Sequence, residues 1–291
     1  MSWISNIWNN IKYTFVKEPK YTGCKADPKD DRDHIKDVSN LELPKASANL
    51  NFSLREYCPQ VMDQGQTGSC TGYASAYAIH ILISKMEKLS GIDNMNVPVF
   101  SPLWNYYHAR LVDNQDAYTS DENFYKHDGG ATLRGTMKAL KTYGSIPDAN
   151  YNLSTTRQLP SKLKGASKTS FKIKEYLSIP NGFCIESLET VQKILSIEQL
   201  PILACINFYS EQFSEANLYG LFRKLDGTKH FYGSHAICIT GWKWMEGHLW
   251  IEFINSYGKD WGKKGYGYFD AEMLDDKEYI SSLWTFDKGY F

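Results

Sequence analysis

A cysteine carried by a Gly-punctuated loop to the start of a helix is the residue best set for chemistry in this 291-residue chain. The segment Gln64-Gly65-Gln66-Thr67-Gly68-Ser69-Cys70 ends on that cysteine, and the stretch from Cys70 to Lys88 has helical spacing of Tyr73, Ala74, Tyr77, Ala78, Ile81 and Leu82. Unpaired N–H groups at a helix N-terminus carry about half a positive charge, which favours thiolate over thiol and makes sulfur a nucleophile near neutral pH. A thiolate needs a proton carrier. His235, in YGSHAICITGW, opens an apolar strand, where a base facing a cleft would stand. Asn255, in IEFINSYGKDWGKKGYGYF, ends another strand before a Gly-rich aromatic loop. Its carbonyl oxygen could fix the far imidazole nitrogen without neutralising the ring, with Tyr257 shielding that bond from water.

The remaining cysteines and histidines have plainer explanations. Cys184, Cys205 and Cys238 lie in apolar text and read as small buried hydrophobes. The histidines at 34, 80, 108, 127, 230 and 248 read as surface or satisfied core residues. The six cysteines form no CxxC pair and no zinc-ligand spacing, so neither metal nor disulfide framework is expected, and a reducing compartment fits. The acidic run DPKDDRDHIKD lacks the turn glycine of a calcium loop.

These residues need elements to hold them. Besides the Cys70 helix, helices are expected at Ser101–Leu111, with Pro102 in its first turn, at Thr132–Tyr143, closed by Gly144, and at Ser187–Gln199. After Ser170 the segments FKIKEYL, PILACINF, HAICITGW, LWIEFINS and GYGYFD read as strands. A helical N-terminal half before a mostly antiparallel sheet half gives an α+β class with the cleft between them. Residues 17 to 50 read as a charged, solvated linker. At the N-terminus, Trp3, Ile4, Ile7, Trp8 and Ile11 give a short helix one apolar face, to be covered by its own domain or a partner.

With 32 basic and 33 acidic side chains the net charge is -1, which leaves no footprint for nucleic acid or an anionic membrane. The 14% aromatic content suits a surface that grips extended peptides. No apolar run is long enough for a transmembrane span, and no secretory h-region opens the chain. A cytoplasmic location, or carriage within a virion or host cell, is expected, with a monomer as the default state.

Taken together, the Gln-x-x-x-x-x-Cys loop, the His strand and the Asn-Ser-aromatic-Gly run resemble the papain-like cysteine peptidases, in the same order and over roughly residues 52 to 286. QGQTGSCT and the upstream CPQVMDQG are most similar to bacterial and viral members. The resemblance implies a two-lobed fold, with a helical lobe at about 60–165 and an antiparallel, barrel-like lobe at about 166–291. It implies that Gln64 and the Cys70 N–H bind the oxyanion, and that Gly129 and Gly130, in Asp128-Gly129-Gly130, bind substrate as an added strand. Ser69, Ser234, Ala236 and Trp261 are the further substrate-binding candidates. No cofactor is implied.

Several departures stand out. Thr67 occupies a position where secreted members carry a disulfide cysteine, Thr71 replaces an aromatic residue, and Tyr257 replaces the first Trp of the Asn motif. His235 and Asn255 lie further past Cys70 than the roughly 130 to 150 positions usual in the best-known members; loops inserted near 112–127 and 210–232 would account for this. The long helical propeptide is missing, which makes residues 1–50 an extension. It is read as a short pro-segment, part of which lies in or near the cleft, or as a partner-docking helix. Peptide-bond hydrolysis is the first reading. An idle fold member that binds peptides, and a thiol acyltransferase or amidase acting on another amide, are the alternatives.

Overall fold

A computed structural model describes residues 22–43, 51–91, 97–113, 128–148, 170–180 and 186–287. The apolar N-terminal segment, most of the insertion expected near 112–127, and Cys184 lie outside the described residues.

The first lobe is built on α1 (Cys70–Leu89), whose residues from Cys70 to Ser84 are all buried. Packed against it are α2 (Pro102–Val112) and α3 (Leu133–Thr142). Both of these start as their sequences require. Ser101 caps α2 by accepting from the Trp104 N–H at 3.3 Å, with Pro102 at the first helical position. Thr132 caps α3 by accepting from the Gly135 N–H at 2.8 Å, and Gly144 beyond its end has φ +73°. Where α1 passes α2, a side chain at Gly72 would drive its Cβ to 2.1 Å from the Pro102 carbonyl oxygen.

The second lobe is a sheet. In chain order its strands are β2 (Phe52–Ser53), β4 (Tyr176–Ser178), β5 (Ile202–Tyr209), β6 (Leu221–Phe222), β7 (Phe231–Met245), β8 (His248–Ile254), β9 (Tyr266–Asp270) and β10 (Ile280–Phe286). They run in the order β4-β10-β5-β7-β8-β9-β6, with β2 also on β7. All pairs are antiparallel except β6 with β9. β5 is a near-continuous apolar run, as a central strand covered on both faces must be.

The sequence reading differs from this sheet at its edges. FKIKEYL yields only the short β4, because Lys172, Lys174 and Glu175 keep the segment at the surface. The helix expected at Ser187–Gln199 is α4 (Glu186–Lys193), followed by one π turn at Ile194–Glu198 and a left-handed Gln199. Residues 210–232 hold a short 3-10 turn, α5 (Phe213–Tyr219), β6 and the start of β7.

A final pairing joins the N-terminal segment to the body. β1 (Cys24–Lys25) runs parallel to β3 (Ala131–Thr132), so residues 22–43 are strapped over the molecule and are not a free linker. Their charged side chains mislead a reading by composition: only Cys24 and Val38 are buried among them.

Candidate active site

The loop before α1 is tied to the loop after β8. The Gln64 N–H donates to the Ser256 carbonyl at 2.9 Å, and Asp63 bridges Tyr257. Tyr77, in the second turn of α1, accepts from the Met62 N–H at 2.7 Å and donates to the Asn255 carbonyl at 3.1 Å. A helix residue thereby sets the distance between the loop that carries Cys70 and the loop that carries Asn255.

His235 lies on β7 opposite Ile206, its ring between Phe208 and Tyr257 with centroids 5.3 and 4.6 Å away. Its Nε2 donates to Asn255 Oδ1 at 2.8 Å, and the same oxygen accepts the Ser256 N–H at 2.8 Å. Two donors on one oxygen fix the amide with its carbonyl towards the ring nitrogen. The Cys70 sulfur, wholly buried, accepts from the N–H of Ala236, the residue after His235, and from those of Thr71 and Gly23. Cys70, His235 and Asn255 therefore share one site, at the seam between the lobes.

Gln64 is almost fully buried. Its amide nitrogen donates to the Thr67 carbonyl at 2.7 Å and its oxygen accepts from the Ser256 hydroxyl. Ser69 is fully buried with its hydroxyl 2.6 Å from that of Thr67, so its side chain faces the loop. Ser234 donates to Asn207 Oδ1 at 2.6 Å, and Trp261 donates to Asn217 Oδ1 at 3.1 Å while its ring meets Tyr257 edge-on.

Three contributions escape the sequence reading. Asp128 accepts from the Gly68 N–H at 2.5 Å and from the Tyr106 hydroxyl, and the Gly130 N–H donates to that same hydroxyl at 3.0 Å; Asp128 thus couples the cysteine loop to the glycine pair. Tyr257 is more than an apolar cover, because its hydroxyl lies 3.3 Å from His235 Nδ1, the nitrogen opposite the Asn255 bond. A tyrosine in place of the motif's Trp was the available signal. The third is Gly23. It sits between Gly68 and Gly130, and its carbonyl accepts the Ala131 N–H at 2.9 Å. A Cβ at Gly23 would fall 1.9 Å from the Gly68 oxygen, and one at Gly130 would fall 2.1 Å from the Gly23 oxygen. Thr22 lies against Gly233. The strap thus lies over Cys70, with the Gly23 backbone packed against Gly68 and Gly130 and Cys24–Lys25 paired with Ala131–Thr132.

Beyond Gly23 the strap is held by polar anchors. Asp27 accepts the Arg134 N–H at 2.9 Å and the Trp284 indole N–H at 2.7 Å. The Arg134 guanidinium binds the Asp33 carboxylate and the Pro28 carbonyl. Residues 34 and 36 exchange backbone bonds with Ser178 at 2.8 Å each, and Lys36 forms a buried ion pair with Glu198 at 2.8 Å.

Under the strap Cys70 and His235 are both fully buried. Burial pushes the Cys70 thiol up to about 12, against the pull of the three backbone N–H groups, and pushes His235 down to about 4, against the help of Asn255. Burial thus favours the neutral form of both sulfur and ring in this closed arrangement. Among the described residues no group of three or more His, Cys, Asp or Glu could hold a metal ion.

A family model described as papain family cysteine protease matches residues 102–278. The chain belongs to that family. The match contains His235 and Asn255; Gln64 and Cys70 precede it and join the site through the geometry above. An uncharacterized peptidase C1-like protein of Acanthamoeba polyphaga mimivirus is 24% identical over 266 residues, covering 85% of this chain and 80% of the relative. Xylellain, a cysteine protease from Xylella fastidiosa, superposes with a TM-score of 0.71 at 21% identity, over 93% of this chain and 98% of its own. ProCathepsin B S9 from Trypanosoma congolense superposes with a TM-score of 0.66 at 15% identity, over 99% of both chains. This papain-family fold accounts for the helical lobe, the sheet and the seam between them, and makes the protein a peptidase with protein substrates. No described helix is long and apolar enough to cross a membrane.

Proposed function

We propose that this peptidase cleaves extended polypeptides internally through an acyl-enzyme on Cys70, and that the form described is its closed, self-blocked state. The observation that carries the reading is the 2.8 Å bond from His235 Nε2 to Asn255 Oδ1 beside the sulfur of Cys70. In the open state the Cys70 thiolate attacks the scissile carbonyl, and His235 protonates the leaving amine. Water activated by the same ring then releases the acyl group as a carboxylic acid. Asn255 holds the imidazolium in its working orientation without a counter-charge. The Cys70 N–H and the Gln64 amide receive the oxyanion, for which Gln64 must exchange its Thr67 contact for substrate.

Residues 22–43 act as the pro-segment of this reading, and residues 51–291 as the peptidase domain. Gly23 covers the sulfur, while the strap excludes the water that a thiolate–imidazolium pair requires. Lifting it admits substrate and solvent together, so the nucleophile is switched on by the step that uncovers it. The apolar face read at Trp3, Ile4, Ile7, Trp8 and Ile11 lies outside the described residues and is proposed to be covered by this domain or a partner. The viral relative is consistent with a chain carried in a virion or host cell.

A peptide-library cleavage assay tests the reading. Cleavage of extended peptides that vanishes in Cys70→Ala supports it. Peptide binding without turnover in the native chain, unchanged in Cys70→Ala, would instead identify an idle binding member; turnover of non-peptide amides alone would identify an amidase or acyltransferase.

A further inference from the structure

Three cysteines remote in sequence meet at the seam. Cys24 comes from the strap, Cys70 from the first turn of α1 and Cys205 from the centre of β5, and all three belong to one buried apolar cluster. In the strap, Cys24 turns inward at 7% exposure while its neighbours Lys25 and Ala26 face solvent. The backbone explains the convergence. Gly23, just before Cys24, donates its N–H to the Cys70 sulfur; Ala236, directly opposite Cys205 in the β5–β7 ladder, donates to the same sulfur. Cys24 and Cys205 therefore approach the site from its two sides; the Cys24 thiol donates to the Lys25 carbonyl at 3.8 Å and lies within side-chain reach of the Cys205 thiol. Packing alone does not call for sulfur on a strap that must leave: alanine or valine would fill an apolar niche as well.

We propose that Cys24 and Cys205 form a reversible disulfide that latches the strap over the active site, making release of the strap depend on the thiol–disulfide balance of the surroundings. This rests on the reading of residues 22–43 as the segment that closes the cleft. The oxidant is a small-molecule disulfide of the glutathione type. The Cys24 thiolate attacks one of its sulfurs, forms a mixed disulfide and expels one small thiol; the Cys205 thiolate then attacks the Cys24 sulfur and expels the second. Two protein thiols lose two electrons, the small disulfide gains them, and the two protons end on the released thiols. Burial holds Cys24 protonated while the strap is down, so both closure and reopening proceed through partial lifting of residues 22–26. Cys70 stands within reach of the same exchange, which makes a Cys24–Cys70 bridge the competing product.

Disulfide mapping on the full chain tests the latch. Cys70→Ala protein is equilibrated with oxidised or reduced glutathione, alkylated and digested without reductant. The oxidised sample should give a Cys24–Cys205 linked peptide and two fewer free thiols. This readout needs no peptidase activity, so it fails or succeeds apart from the function proposed above. Native chain is then labelled at Cys70 with an epoxide inhibitor in both buffers: labelling should be at least about 10-fold slower when oxidised, and the difference should disappear in Cys24→Ser. Cys205→Ser provides the second arm, and Cys24→Ser, on the strap, remains informative if the buried substitution does not fold. Absence of the Cys24–Cys205 peptide, a Cys24–Cys70 bridge in native chain in its place, or equal labelling of bridged and reduced protein would overturn the latch.

Discussion

Two walls meet over Cys70, and they are held by different forces. On the sheet side, His235 and Asn255 sit on β7 and at the end of β8, wholly buried and bonded to each other and to neighbouring backbone. On the other side, residues 22–43 are mostly exposed and are held by a few charge-assisted bonds at Arg134, Trp284 and Glu198. The first wall is part of the core and can be lost only with the fold. The second can be detached while the core stays intact, because few apolar side chains must leave with it. Permanence for the chemistry and detachability for the cover follow from burial in one case and from polar anchoring in the other.

Breaking the permanent wall should give the largest effect. Asn255→Ala should lower kcat/KM by about 100-fold or more, within the range of a lost orienter for an acid–base group, with the fold retained by circular dichroism; an undiminished rate would remove Asn255 from the site. Loosening the detachable wall should act in the opposite direction. Arg134→Ala removes the bonds to Asp33 and Pro28, worth about 2 kcal/mol for charged hydrogen bonds, so Cys70 labelling in the full chain should rise roughly 30-fold. No rise would mean that the strap is not the barrier.

Acid should have the same sense through His235. Closed, the ring is held down at about 4; released and solvated it returns towards 6.5. Between those values the released ring alone binds a proton that the buried ring does not, which favours opening by up to tenfold per pH unit of acidification; in the native chain the proton that uncovered Cys70 gives to the ring cancels this, so the His235 contribution is read in Cys70→Ala. In Cys70→Ala, opening of the strap read by limited proteolysis within residues 22–43 should climb as pH falls from 6.5 to 4 and flatten below. The smallest effect belongs to Tyr257→Phe. Its hydroxyl contact with Nδ1 favours the neutral ring, so the substitution should move the His235 midpoint upward by at most about one pH unit, read by NMR titration.

The residues with local signatures were legible in sequence. Glycines and a first-turn cysteine announce a loop-to-helix junction, and an Asn that ends an apolar strand before Gly-Lys-Asp-Trp-Gly announces a second loop. The helices were equally readable: α2 and α3 from caps and stops written within a few residues of their ends, α1 from its apolar spacing after the Gly-punctuated loop. The strap was not. Its seat is a two-residue parallel pairing with a segment more than a hundred positions away, and its charges read as solvation although Asp27, Asp33 and Lys36 are anchors. Cys205 was legible as buried, but that its neighbour would be Cys24 depends on a tertiary contact with no local trace. The amphipathic segment at residues 3–11 lies outside the described residues.

The central claim is that a buried sulfur beside an Asn-held imidazole becomes a nucleophile when its cover lifts. It is tested by reacting the native full chain and Arg134→Ala with an epoxide inhibitor under reducing conditions and mapping the adduct by mass spectrometry. A single adduct on Cys70, formed faster in Arg134→Ala and absent from Cys70→Ala, is the expected result. An adduct on another cysteine, or none on folded Arg134→Ala at any pH from 4 to 8, would contradict it.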